Sequence, residues 1–348
     1  MEKKKKVEIN PTFHFKKKAP HPEEQTPQYL EYRRKWEENP QKHIVGRVPI
    51  HMDLESTSVC NLKCITCFQS FDPPKPGFMK MELFKKIIDE AAAKGLCSIK
   101  LNFRGEPLIN PDTPKMVKYA KQKGIIEVMF NSNTTLLTEK IANELIDAGL
   151  DKINCSVDAC IPEVYERIRV GAKFDTILNN IKNLQRIKKE RGVSKPIVRV
   201  QMVDSPVSHD QVGEFIKFWE DIADQVAVSD MLDWHDKKLT NVVVSDDFVC
   251  SKPYQRMSVW HDGKVVICDG NYFGKLIAGD LSKQSVEEVW NGPVMGRLRK
   301  LHLEGKSHKV NICAECGYRM ATIRLKQIPS HLEKLGKDPY EKMGGIEK

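Results

Sequence analysis

Between Pro49 and Ser229 the chain alternates six times between short strand-like segments and longer amphipathic ones. The strand candidates are Pro49–Leu54, Ser98–Phe103, Ile125–Phe130, Lys152–Val157, Ile197–Val203 and Gln225–Ser229. Between them, helical spacing runs over Met79–Lys94, Pro114–Lys123, Thr138–Ala148, Asp175–Lys189 and Asp210–Ile222. In the first of these helices Phe84, Ile87, Ile88 and Ala91 form one apolar stripe, and Gly95 supplies the stop. Thr138 and Gly149 bracket another as N-cap and terminator. Strands joined through helices pair in parallel, because a parallel connection needs a crossover of about a dozen residues or more. Six such units predict an α/β fold: a partial (β/α)6, TIM-like barrel, short of the eight units of a closed one. In these folds chemistry collects at the C-terminal ends of the strands.

Outside this region the pattern changes. Residues 1–47 read as an extended polar arm with one short helix near Tyr29–Glu38, and 48–235 as the barrel. Residues 236–325 read as a small cysteine-rich domain. Within it, Val259–Ile267 forms a hairpin around His261-Asp262-Gly263, and Ser285–Leu303 is helical with a break at Asn291-Gly292-Pro293. Residues 326–348 form a polar tail. The net charge of +9 is concentrated at the ends and on helix faces, as in Lys16–Lys18 and Lys188–Lys189. That distribution suits solvated faces, not a nucleic-acid footprint, while leaving room for a basic pocket for an anionic substrate. No window reaches the roughly 18 apolar residues of a membrane span, and no apolar core follows the basic N-terminus. A cytoplasmic protein with no membrane or nucleic-acid partner is the expectation.

The ten cysteines sort into three sets. Cys60, Cys64 and Cys67 form a C-x3-C-x2-C run just after the first strand. Three thiolates can hold three irons of a cubic [4Fe–4S] cluster and leave the fourth iron open. Structural zinc prefers four ligands, often as spaced pairs, so a triad suits it less well. Cys250, Cys268, Cys313 and Cys316 could meet as four thiolates, which suits zinc and an iron–sulfur cluster equally. Cys97 and Cys155 read as buried strand thiols, and Cys160 falls near the expected active edge. After the second strand comes Phe103-Arg104-Gly105-Glu106-Pro107. Gly105 permits close backbone approach there, and Glu106 offers a carboxylate to an ammonium group.

Over residues 48–230 the chain resembles the radical S-adenosylmethionine (SAM) enzymes. The resemblance rests on the cysteine triad, on Arg104-Gly105-Glu106-Pro107 in place of Gly-Gly-Glu-Pro, on Asn131-Ser132-Asn133 and on Ser156-Val157-Asp158. It implies that the open iron is chelated by the amino and carboxylate groups of S-adenosylmethionine. It further implies that Gly105 and Glu106 bind the amino group, Asn133 and Ser156 the ribose, and Arg169 the carboxylate. The residue before the third cysteine, often an aromatic packing near the adenine, is Thr66 here.

The last third resembles the SPASM domain in its shortened, twitch form. That likeness implies one auxiliary [4Fe–4S] cluster on Cys250, Cys268, Cys313 and Cys316. The cysteine spacing is similar to that of the deoxy-scyllo-inosamine dehydrogenases. The resemblance thus implies a 5′-deoxyadenosyl radical that abstracts hydrogen from a sugar or cyclitol-like alcohol. The auxiliary cluster then takes the second electron, and a flavodoxin or ferredoxin supplies the first. Asp233, Trp234 and His235, after the sixth strand, are the substrate candidates; no catalytic residue is singled out. The competing readings are modification of a ribosomally made peptide or protein and a zinc-stabilised, non-catalytic binding protein.

Overall fold

The computed structural model describes residues 13–18, 22–231, 248–314 and 316–319. Six parallel strands stand side by side in chain order: β2 (His51–Leu54), β3 (Ser98–Lys100), β4 (Glu127–Ser132), β5 (Lys152–Ser156), β6 (Ile197–Asp204) and β7 (Gln225–Asp230). Each falls within the segment expected from its sequence or overlaps most of it. The crossovers are α2 (Met81–Ala93), α3 (Thr113–Gln122), α4 (Glu139–Ala148), the pair α5 (Pro162–Ile168) and α6 (Phe174–Glu190), and α7 (Val212–Trp219). Helix α5 was not anticipated. It has seven residues, too few to repeat a stripe, and buries only Tyr165 and Ile168.

Strand parity divides the sheet into two faces. Met52, Leu54, Ile99, Leu101, Val128, Phe130, Ile153, Val198 and Val200 point one way. They share one apolar core with Phe84, Ile87, Leu145 and Ile177 of the helices. Burying each such side chain stabilises by about 1.5–3 kcal/mol. The opposite face is polar, and its side chains bond from strand to strand. Asp53 meets Lys100 at 2.9 Å, Asn154 meets Asn131 at 2.8 Å, and Lys152 meets Glu127 at 3.2 Å. This is the concave, inner face of the partial barrel.

The segment expected to be a polar arm is built into the fold. β1 (Phe13–Lys18) pairs antiparallel with β7 at the sheet edge. α1 (Pro27–Lys42) starts at Thr26, whose Oγ1 accepts from the Tyr29 amide. Tyr32 and Trp36 of α1 are buried, and the Trp36 ring stands edge-on to His51 at 5.6 Å. Glu24 accepts from the buried Lys152 ammonium at 2.8 Å. The arm therefore covers the N-terminal end of the strands. Only four of the 16 residues in α1 are buried, so no stripe announced its packing.

After the barrel, β8 (Arg256–Val259) lies parallel to β2 on its free edge. β9 (Lys264–Val266) and β10 (Ile277–Asp280) continue the sheet antiparallel. The hairpin around His261–Gly263 is thus confirmed, with Gly263 at φ +92°. α8 (Lys252–Gln255), α9 (Val286–Trp290), α10 (Pro293–Leu303) and α11 (Asn311–Ala314) complete this part, with the expected break at Asn291-Gly292. No described helix is long and apolar enough to cross a membrane.

Candidate active site

The chain leaves β2 at its C-terminal end and turns at once into the cysteine loop. Thr57 bridges to Phe78, and its Oγ1 donates to the Gly77 carbonyl at 2.8 Å. The Lys63 and Ile65 amides donate to Val170 and Ile168, tying the loop to the segment after α5. Burial pushes the Cys60 thiol up to about 11, and Glu106, Cys64 and Cys67 add repulsion. Burial and Cys64 push Cys67 up as well. Cys60 and Cys67 therefore lie within electrostatic reach of Cys64 and resist ionising, which a bound metal centre reverses. Among the described residues no three Cys, His, Asp or Glu side chains converge closely enough to hold a single metal ion.

The turn after β3 packs directly on this loop. Gly105 has φ +74°, and a Cβ there would lie 2.4 Å from the Thr57 carbonyl oxygen and 2.7 Å from that of Val59. Only glycine fits both the conformation and the space. The Glu106 amide donates to Val59 at 2.8 Å. The Glu106 side chain is buried and accepts from Ser132 Oγ at 2.8 Å, the Asn133 amide at 2.7 Å and the Leu108 amide at 3.2 Å. Burial raises its pKa to about 7 against these donors. A carboxyl so poised gains from a cation brought beside it.

Arg104, at the position of a glycine in the resembled motif, has a structural partner. Its Nε and Nη2 reach the buried Glu55 carboxylate at 2.6 and 2.8 Å. Its guanidinium lies 3.8 Å from the Trp260 ring centroid. His261 Nδ1 meets the same carboxylate at 2.8 Å. Tyr272 stacks on Phe68, which follows Cys67, with centroids 4.4 Å apart. The cysteine-rich part thus closes over the first thiol loop.

Other expected residues fall out as follows. Asn133 Nδ2 donates to Asn61 at 2.9 Å, and its Oδ1 accepts from the Thr135 hydroxyl at 2.7 Å, so its amide braces the cysteine loop. Ser156 ends β5, half-buried. Arg169 pairs with Asp158 at 2.6 Å and donates from Nη1 to Cys64 Sγ at 3.7 Å; its Nε is buried without a partner. Asp158 itself has φ +67°. Cys97 and Cys155 are buried, as expected, and Cys160 bonds Gln211. Asp233, Trp234 and His235 lie outside the described residues.

The later cysteines act on one another electrostatically. Burial raises Cys250 to about 12, with Cys316 adding to it, and holds Cys268 and Cys313 above the ordinary thiol range. Cys313 and Cys316 act on Cys268, and Cys250 and Cys316 act on Cys313. Drawn together on one metal centre, four thiolates would leave it no open position.

The inner face carries groups that the sequence reading did not single out. The Asn131 amide donates to Asn102 Oδ1, and Asn154 Nδ2 donates to Asn131 Oδ1, each at 2.8 Å. Asn154 is 3% exposed, and its Oδ1 has no partner. Ser156 and Gln201, opposite each other on β5 and β6, are half-buried on the same face. The signal was present as alternation: Asn131 and Asn154 hold inward positions on β4 and β5, and Asn102 keeps the same phase two residues past β3.

A partial parallel barrel with a three-thiol loop after its first barrel strand and a glycine–glutamate turn after the second is the architecture of the radical SAM enzymes. Residues 54–218 match the Radical SAM superfamily, and 250–317 match SPASM, an iron–sulfur cluster-binding domain. The chain carries both domains and is a radical SAM enzyme. It uses S-adenosylmethionine with a [4Fe–4S] cluster, and its SPASM domain takes an auxiliary iron–sulfur cluster. The chain is 27% identical over 289 residues to the tungsten-containing aldehyde ferredoxin oxidoreductase cofactor-modifying protein of Pyrococcus furiosus, covering 80% of this chain and 79% of that one. Similar solved structures include BtrN in complex with AdoMet and 2-DOIA, 20% identical with TM-score 0.50, covering 76% of this chain and 92% of that one. Streptococcus suis SuiB bound to precursor peptide SuiA is 15% identical with TM-score 0.61, covering 78% and 71%. At these identities the two structures share the fold alone.

Proposed function

We propose that this enzyme oxidises an alcohol carbon of a sugar or cyclitol-like small molecule held in the barrel lumen. The reading is carried by the row Asn102–Asn131–Asn154, whose last member presents an unpartnered, buried carbonyl oxygen. Neutral amides beside Ser156 and Gln201 both donate and accept, as a polyol requires. When bound, S-adenosylmethionine and the clusters supply a deoxyadenosyl radical as hydrogen-atom acceptor and a separate one-electron acceptor. The carbinol carbon gives up a hydrogen atom, its hydroxyl a proton, and one electron leaves, so the product is a ketone. Glu106 would accept from the cofactor's amino group at the strand ends. Cys60, Cys64 and Cys67 would hold the first cluster, and Cys250, Cys268, Cys313 and Cys316 the auxiliary one.

Asn154 lies one inward position deeper than Ser156 along β5, roughly 7 Å at strand rise, which suits a substrate beneath the cofactor. The relative from Pyrococcus furiosus, named for modifying a cofactor, also favours a small molecule over a peptide. A flavodoxin or ferredoxin is the proposed donor.

The test is anaerobic turnover with carbinol-deuterated sugars and cyclitols. Deuterium should appear in 5′-deoxyadenosine together with a ketone product. Transfer from a deuterated peptide, with none from any alcohol, would replace this reading with a maturase.

A further inference from the structure

We propose that His302 donates a hydrogen bond to the Cys313 thiolate and so raises the reduction potential of the auxiliary cluster. The inference rests on the auxiliary-cluster assignment and not on the choice of substrate. His302 occupies the last turn of α10 and is 1% exposed. Its Nδ1 lies 3.3 Å from the Cys250 amide nitrogen. A backbone N–H only donates, so Nδ1 must present its lone pair. The ring proton is then on Nε2. Nε2 lies 3.6 Å from Cys313 Sγ, within N–H···S range. One imidazole therefore accepts from the backbone of one cluster ligand and donates to the sulfur of another. The tautomer is imposed by the Cys250 amide and needs no titration of the ring.

The ring cannot easily drift from this position. Arg299, one turn earlier on α10, donates from Nε to the Pro253 carbonyl and from Nη1 to the Trp290 carbonyl, each at 2.9 Å. The first bond ties α10 to the α8 turn that follows Cys250. Donors aimed at cluster sulfurs stabilise the reduced, more negative state and raise the potential. An auxiliary cluster with this donor is a better electron acceptor than one without it.

The experiment is an EPR-monitored redox titration of the anaerobic holoenzyme. Adding S-adenosylmethionine perturbs the first cluster's signal and leaves the auxiliary one identifiable. His302→Leu should shift the auxiliary potential to more negative values and leave the first cluster's unchanged. His302→Gln, whose amide can still donate, should shift it less. ENDOR of the reduced auxiliary cluster should show a coupled exchangeable proton that His302→Leu loses. An unchanged auxiliary potential in His302→Leu, or equal shifts in both variants, would overturn the proposal. If His302→Leu fails to hold the cluster, His302→Gln decides: the exchangeable coupling retained supports it, and its absence overturns it. A wild-type protein showing one signal alone, sensitive to S-adenosylmethionine, would instead remove the auxiliary-cluster assignment and the proposal with it.

Discussion

Arg104 grips the buried carboxylate of Glu55 through two side-chain hydrogen bonds, 2.6 Å from Nε and 2.8 Å from Nη2. Glu55 ends the first barrel strand's polar row, and Arg104 begins the turn that carries Glu106. Because Trp260 and His261 join the same group, one buried ion pair holds the thiol loop, the glutamate turn and the C-terminal domain in register.

Arg104→Met should therefore destabilise the protein by about 3–5 kcal/mol, the usual result of leaving a buried charge without its partner. Thermal unfolding should register this, and adding Glu55→Gln should restore part of it. Burial pushes the Glu55 carboxyl up, but Arg104 and His261 more than offset this and hold it below its ordinary 4.5. A depressed folded value means that this stabilisation is fully present above that pH and is lost as pH falls through the folded pKa. The gap between wild type and Arg104→Met should close in acid and stay constant near neutrality.

Glu106 behaves with the opposite sign. Its folded pKa is raised by burial to about 7, so its ionisation opposes the unliganded fold as pH rises from 4.5 past 7. The iron-bound amino group of the cofactor donates its N–H to the carboxylate form. S-adenosylmethionine affinity of cluster-loaded protein should thus rise with pH, roughly tenfold per unit more steeply below about 7 than above it. In Glu106→Gln the affinity should be weaker and lack the change of slope near 7, keeping only the dependence of the cofactor's own amino group. A wild-type profile without that change of slope in anaerobic binding titrations would show that Glu106 does not contact the amino group.

Replacing Cys60, Cys64 and Cys67 together with alanine should lower iron from about eight to about four per chain and abolish 5′-deoxyadenosine formation. Iron analysis and product chromatography check this. Retained cleavage of S-adenosylmethionine would remove the triad from the mechanism.

Asn154→Leu should cut kcat/KM for the oxidised alcohol roughly 10–100-fold, equivalent to about 1.4–2.8 kcal/mol of lost hydrogen bonding, with S-adenosylmethionine affinity unchanged. Equal turnover in the variant would place the substrate elsewhere.

Trp36→Ala should cost about 3–5 kcal/mol, as expected for a large side chain removed from a closed core. Denaturation followed by circular dichroism measures it. A loss under about 0.5 kcal/mol, typical of a surface site, would return α1 to the status of a loose arm.

What was legible in sequence was local or periodic. The stripe of α2, the Thr138 cap of α4 and the parallel strand order follow from spacings within a few residues of one another. So do the thiol triad and the Gly105–Glu106 turn, because each is a short loop at a strand end. α5 was missed because seven residues cannot display a period. α1 was missed as a packed element because its anchors, Tyr32 and Trp36, are isolated among charges.

The sequence alone determined the fold class, the two cysteine groups and the edge of the sheet that carries the first of them, since these depend on patterns that neighbouring residues impose on each other. Only the tertiary structure decided what Arg104, Asn154 and His302 do. Glu55 meets His261 across 206 positions, and Cys250 meets His302 across 52. Such pairings arise when packing excludes water and leaves a buried polar group one remaining partner. No spacing along the chain encodes that choice.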